Sequence, residues 1–190
     1  MKKFALCLMV IFVTVAAPAS AENKGFYVGG GVGKSTLDVR DFFPDLDDYR
    51  GRQSTFGFKL FGGYRFLDYL AVEAGYTDLG THETWETASL MLRHRFEVGV
   101  NGWNAHAVGL LPLGTVDLFA KIGVIGWDAN LKIGRYDGDE TQTLSGTDAT
   151  YGLGIGFNFK HLFVRGEIEW FSIADAESMF MVSVSLAYRF

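Results

Sequence analysis

The sequence predicts an all-β protein, an eight-stranded antiparallel up-and-down transmembrane β-barrel. Three observations carry that expectation. Apolar residues alternate with small or polar ones through eight stretches, the last of which runs to the final residue. The connections between the stretches alternate between long and short. Beyond an N-terminal apolar run, no segment approaches the ~20 apolar residues that a membrane helix needs.

The N-terminus is expected to be a removed signal peptide. Lys2 and Lys3 form a positive n-region, residues 4–17 an apolar h-region, and Ala19-Ser20-Ala21 a small-x-small cleavage site before Glu22. The expected organisation is therefore a signal peptide over 1–21 and one barrel domain over 22–190. Cys7 lies inside the h-region, so the exported part holds no cysteine and draws no stability from disulfides. Without Lys2 and Lys3 there are 15 basic against 22 acidic residues, a formal charge of −7. That balance argues against nucleic acid as a partner.

The first strand is expected over 25–33, GFYVGGGVG, with Phe26, Val28, Gly30 and Val32 on one face. Residues 34–52 are polar and rich in aspartate (Asp38, Asp41, Asp45, Asp47, Asp48) and read as a long loop. Strand two, 53–66, sets Phe56, Phe58, Leu60, Tyr64 and Phe66 against Lys59, Phe61 and Arg65. Strand three, 69–78, follows a tight turn. A second long loop is expected over 79–91. Strand four, 92–111, changes phase: Phe96, Val98 and Val100 are even-numbered, Trp103, Ala105, Ala107 and Leu111 odd. A β-bulge near Asn101-Gly102 would re-aim the chain in this way. Strand five covers 115–127, a third long loop 128–146, strand six 147–159 and strand seven 161–171. In the last stretch, 178–190, Phe180, Val182, Val184, Leu186, Tyr188 and Phe190 alternate with Ser183, Ser185, Ala187 and Arg189.

An even strand number, short turns on one side and long loops on the other are the habit of membrane barrels. Aromatics gather where two interfacial girdles would lie. Tyr64, Phe66, Phe157, Phe159, Tyr188 and Phe190 fall near the short turns; Tyr76, Trp103, Tyr151 and Trp170 fall towards the loops. A soluble barrel with its apolar face inward is the competing reading. Its charged face would lie outside and hold few glycines, whereas here the second face is rich in Gly, Ser and charge, which suits a narrow interior.

The chain resembles the eight-stranded outer-membrane barrels of Gram-negative bacteria, of the OmpA N-terminal-domain type. The segments that carry the resemblance are LFGGYRF (60–66), VEAGYTDLG (72–80), GWNAHAVGLLPLG (102–114), LFAKIGVIGWDA (118–129) and VSLAYRF (184–190). It implies a cell outer membrane location. It also implies that Tyr188 and Phe190 form the terminal signature read by the outer-membrane assembly machinery. Many relatives continue into a periplasmic peptidoglycan-binding domain, which the sequence up to Phe190 does not contain.

The inward face is expected to carry Lys59, Arg65, Lys121, Arg165 and Arg189 against Glu73, Asp117, Glu167 and Glu169, with His106 nearby. Buried charges need partners, so this set reads as a salt-bridged plug, or alternatively as an ion path. Residues 29–35, GGGVGKS, lack the first glycine and the following helix of a phosphate loop. His82, Glu83 and Glu86 do not form the HExxH pattern. Asp137, Asp139 and Glu140 read as a solvated loop rather than a cation site. Expected partners are outer-membrane lipid, lipopolysaccharide (bridged by cations or held by Arg93 and Arg95), the assembly machinery, and host or surface ligands at the loops. No cofactor, metal or catalytic residue is expected. A lipid A-modifying enzyme would need a Ser/His/acid set near His82 or His94, and no serine motif flanks either. The function expected is a structural or surface-interaction role; a small channel or porin is the alternative.

Overall fold

The structure is a computed structural model and describes residues 24–38, 52–88, 92–135, 138–173 and 179–190. Eight strands follow one another: β1 Gly25–Asp38, β2 Arg52–Leu67, β3 Leu70–Ala88, β4 Leu92–Leu113, β5 Val116–Arg135, β6 Gly138–Phe159, β7 Leu162–Phe171 and β8 Met179–Arg189. Each pairs antiparallel with its neighbour in sequence, and β1 pairs with β8, so the sheet closes into a barrel. Closure removes every edge within the membrane zone and satisfies the backbone there without water. Among the described residues no helix is long and apolar enough to cross a membrane.

Three hairpins are tight at one end. Gly114-Thr115 joins β4 to β5, with Gly114 in the left-handed region (φ 80°). Lys160-His161 joins β6 to β7 and Asp68-Tyr69 joins β2 to β3. The other end carries the connections 39–51, 89–91, 136–137 and 172–178; of the three long loops expected, only the first remains long.

Two expectations are corrected. The first concerns length. Residues 79–88 and 128–135, read as loop, are strand, and so are 138–146; β1 also runs on to Asp38. The ladders continue without a break from Trp127↔Gly146 to Arg135↔Gly138 and from Thr81↔Gly99 to Ala88↔Leu92. On β6 the period-2 signal is lost because residues 142–145 are exposed on both faces, while on β5 buried Ala129 and Leu131 still alternate with exposed Asp128 and Asn130. β3 to β6 are 19 to 22 residues long, against 10 and 11 for β7 and β8. About 9–11 residues cross a bilayer at a tilt. Four neighbouring strands thus rise above the rest as a wall at the long-loop end.

The second correction concerns phase. β4 does not flip: Val98, Val100, His106 and Val108 are buried while Trp103, Ala105, Ala107 and Leu111 face out, in one unbroken alternation. The irregularity lies opposite, on β3. Asp78 pairs with Asn101 but Thr81 with Gly99, so β3 spends one residue more than β4. Gly80 takes φ 79° there, and its N–H donates to the Asp78 carboxylate at 2.7 Å. The hydropathy of β4 changes sides because the barrel interior itself turns apolar at that height.

The outward face between the turns and the wall is apolar and exposed, as a lipid-facing band must be. Val32, Leu60, Ile122, Leu153 and Val184 are all more than half exposed. The GGGVGKS segment is strand on β1, paired with β2 on one side and β8 on the other.

Candidate functional site

The interior is built in layers by strands whose inward positions alternate with the lipid-facing ones. All ten ionisable side chains placed inward by the sequence are buried. The lowest layer, nearest the short turns, holds Arg65, Asp117 and Arg189. Arg65 meets Asp117 at 2.8 Å and also donates to the Asp68 carbonyl in the β2–β3 turn. Arg189 donates to the Asn158 side chain at 3.1 Å and lies over the Phe163 ring at 5.2 Å.

One layer up, the Arg165 guanidinium grips the Glu73 carboxylate with two nitrogens, the second at 3.1 Å. That two-point fork fixes both side chains. Tyr27 donates its hydroxyl to the same carboxylate at 2.9 Å. Arg165 also stacks over Phe61 at 3.9 Å and reaches Glu167 at 3.2 Å. Above it lies a four-membered cluster. Lys59 and Lys121 each bridge both Glu167 and Glu169, with Lys121 at 2.7 and 2.6 Å. His106 is buried beside them, in register with Glu73 and Gly123. Shared partners stabilise such a cluster better than isolated pairs would, since each buried charge keeps more than one counter-charge.

Glycines make room for this content. The Trp127 ring lies over Gly146, where an added Cβ would come within 2.7 Å of it; the Phe119 ring lies over Gly154 in the same way. A cavity of about 30 Å³ remains in the lowest layers, lined by Arg65, Asp117, Asn158 and Phe163 among others.

Above the charged layers the sequence reading missed a second element. Leu79, Val98, Val100, Ile125, Trp127, Ala129, Leu131, Phe171, Ile173, Met179 and Met181 form one buried apolar cluster. It coats the inner side of the wall and is closed over by β7, the residues after it, and β8. The available signal was the inward parity of Ile125, Met179 and Met181, continuous with Lys121 and Ser183.

The aromatic residues expected at the membrane interfaces face outward in two bands. Tyr64 lies between Phe26 (4.6 Å) and Phe66 (5.4 Å), and Tyr188 meets Phe190 at 5.2 Å. At the other level Tyr76 meets Trp103 at 5.3 Å and Tyr151 stacks on Trp170 at 5.6 Å. The side chains of His82, Glu83, Glu86, Arg93, His94, Arg95, Asp137, Asp139 and Glu140 lie outside the described residues, as do residues 1–21.

Comparison with known proteins agrees with this architecture. Residues 5–190 match the model of the outer membrane protein beta-barrel domain. Outer membrane protein A of Klebsiella aerogenes is 29% identical over 211 residues, covering 100% of this chain; the chain spans 56% of that relative's length. Neisserial surface protein A superposes with a TM-score of 0.59 at 16% identity, over 92% of this chain and 100% of that one. Ail, the attachment invasion locus protein of Yersinia pestis, was solved in complex with the heparin analogue sucrose octasulfate. It superposes with a TM-score of 0.56 at 18% identity, over 88% of this chain and 99% of its own. The chain is a protein of the cell outer membrane and belongs to the outer membrane protein β-barrel domain family.

Proposed function

We propose that this barrel serves a structural and surface-contact role with a closed interior, and is neither an open channel nor an enzyme. The filled interior carries the reading. Lys59, Glu73, Lys121, Arg165, Glu167 and Glu169 are each at most 5% exposed and are paired with one another. An aqueous pore would leave such groups wet and separately solvated. Eight strands give a barrel just wide enough for side chains to fill.

Contacts would be made by the wall of β3 to β6 and the connections it carries. At about 3.4 Å per residue, the ten or so residues beyond the outer aromatic band reach roughly 30 Å along the strand. The outer segments hold Asp38, Asp41, Asp45, Asp47, Asp48, Asp137 and Asp139. That charge suits cation-bridged lipopolysaccharide or a basic partner better than a polyanion such as the heparin analogue seen with Ail. An enzymatic role has little support: His106 is enclosed in the charged layers, and His161 stacks on Tyr188 at the short-turn end.

Conductance of refolded 22–190 in planar bilayers tests the reading. The expected record is flat, or has only rare small events. Regular steps would replace this reading with the small-channel one.

A further inference from the structure

We propose that the barrier to ions is the apolar layer at the outer end of the barrel, and that the charged layers beneath it are not the seal. This rests on the closed-barrel reading above and identifies which side chains close it.

The charged layers are suited to exchange and hydration. Lys59 and Lys121 each hold the same two carboxylates, so partners can swap without any charge losing its last counter-charge. Polar atoms without a hydrogen-bond partner among the described residues line this zone: His106 Nε2, Ser183 Oγ and Ser185 Oγ. Each is a docking point for water. The cavity of about 30 Å³ just below adjoins Arg65 Nε, Asp117 Oδ1 and Asn158 Nδ2, which are likewise unpartnered. That volume exceeds what one water needs. A zone with these properties can wet, and a neutralised side chain there would leave a polar gap rather than a dry one.

The layer above is of another kind. Ile125, Ile173 and Met181 are 0% exposed, Met179 is 1% and Phe171 is 2%. They come from β5, β7, β8 and the segment between the last two, so the layer closes from more than one side. Of the polar groups at this height two already have partners, while the buried Thr150 hydroxyl, in register with Phe171, has none among the described residues. Ser35 donates to the Leu79 carbonyl and the Trp127 indole N–H donates to Asp148 at 2.7 Å. An ion entering would lose its water and gain at most a hydroxyl in return, which is how a hydrophobic constriction excludes ions. The layer also sits at the level of the outer aromatic band, since Phe171 follows Trp170 and Ile125 pairs beside Trp103–Gly126. Ions arriving from outside meet it first.

The test compares two sets of variants of refolded 22–190 in planar bilayers, with folding scored by heat-modifiable mobility on gels. Glu73→Gln and Lys121→Gln alter the charged layers; Ile125→Ser and Met181→Ser open the apolar one. The expected result is silence from the parent and the charged-layer variants, and steps from the apolar-layer variants. Steps from Glu73→Gln or Lys121→Gln with the apolar layer intact would overturn the proposal, and so would folded but silent apolar-layer variants. Steps from the unaltered chain would instead defeat the closed-barrel reading. Should the serine variants fail to fold, Met181→Cys in the Glu73→Gln background gives a second readout. The 22–190 chain has no other thiol, so a charged methanethiosulfonate should leave that site unmodified; modification would refute the seal.

Discussion

Glu73 is held from two sides in the interior. It takes the Arg165 fork and the Tyr27 hydroxyl together. Removing one partner of a buried ion pair strands the other, at a cost of about 3–5 kcal/mol. Glu73→Leu is therefore expected to lower unfolding stability by that amount, read from urea titration of tryptophan fluorescence. The double change Glu73→Leu with Arg165→Met removes both charges and should recover most of the loss. An unshifted midpoint in the single variant would mean that Arg165 is solvated or has changed partners. The identities of these residues were legible from alternation alone, because an inward charge on a lipid-facing strand has one place to go. Their pairing was not. Lys59 and Glu169 are 110 positions apart, and only the closed ladder brings β2 opposite β7.

At the scale of the strand, β3 and β8 each depend on one special position. Gly80 holds the extra residue of the β3 bulge at φ 79°, a conformation that costs a residue with a Cβ roughly 1–2 kcal/mol. An added Cβ would also come within 2.5 Å of the Thr55 methyl group. Gly80→Val is expected to destabilise the barrel by at least that much in the same urea titration; a neutral result would mean that the bulge can relax. Phe190 differs in kind. It is 71% exposed and touches Tyr188 at its edge, so its loss removes little packing. If the terminal aromatic is instead read by the assembly machinery, Phe190→Ala should refold in vitro with unchanged stability while its outer-membrane level in cells falls several-fold. Equal levels in both settings would remove that role. Strand legibility followed the solvent. Where one face met lipid, as in β8, the alternation marked every residue. Where both faces met water, as over 142–145, the residues read as loop although the ladder was intact.

The whole molecule is asymmetric along the barrel axis and around it. The closed apolar band, the two aromatic levels and the tight turns were all readable from the sequence, since each follows from what a bilayer demands of a side chain. The wall was not, because a paired strand in water leaves no hydropathy trace. The apolar interior behind it did leave a trace, since buried Trp127, Ala129 and Leu131 alternate with exposed Asp128 and Asn130, but the polar half of that alternation reads as loop. The asymmetry fixes an orientation that can be measured. Tight turns belong on the periplasmic side and the wall outside the cell. The 22–190 chain has no native cysteine, so single thiols report position without background. Gln142 is exposed on the β6 part of the wall and Thr115 is exposed in the β4–β5 turn. On intact cells a membrane-impermeant maleimide should label Gln142→Cys and spare Thr115→Cys. Permeabilising the outer membrane should then admit the reagent to Thr115→Cys. The reverse pattern would turn the barrel over, placing the acidic connections and the apolar seal at the periplasmic end, and would remove the basis for surface contact altogether.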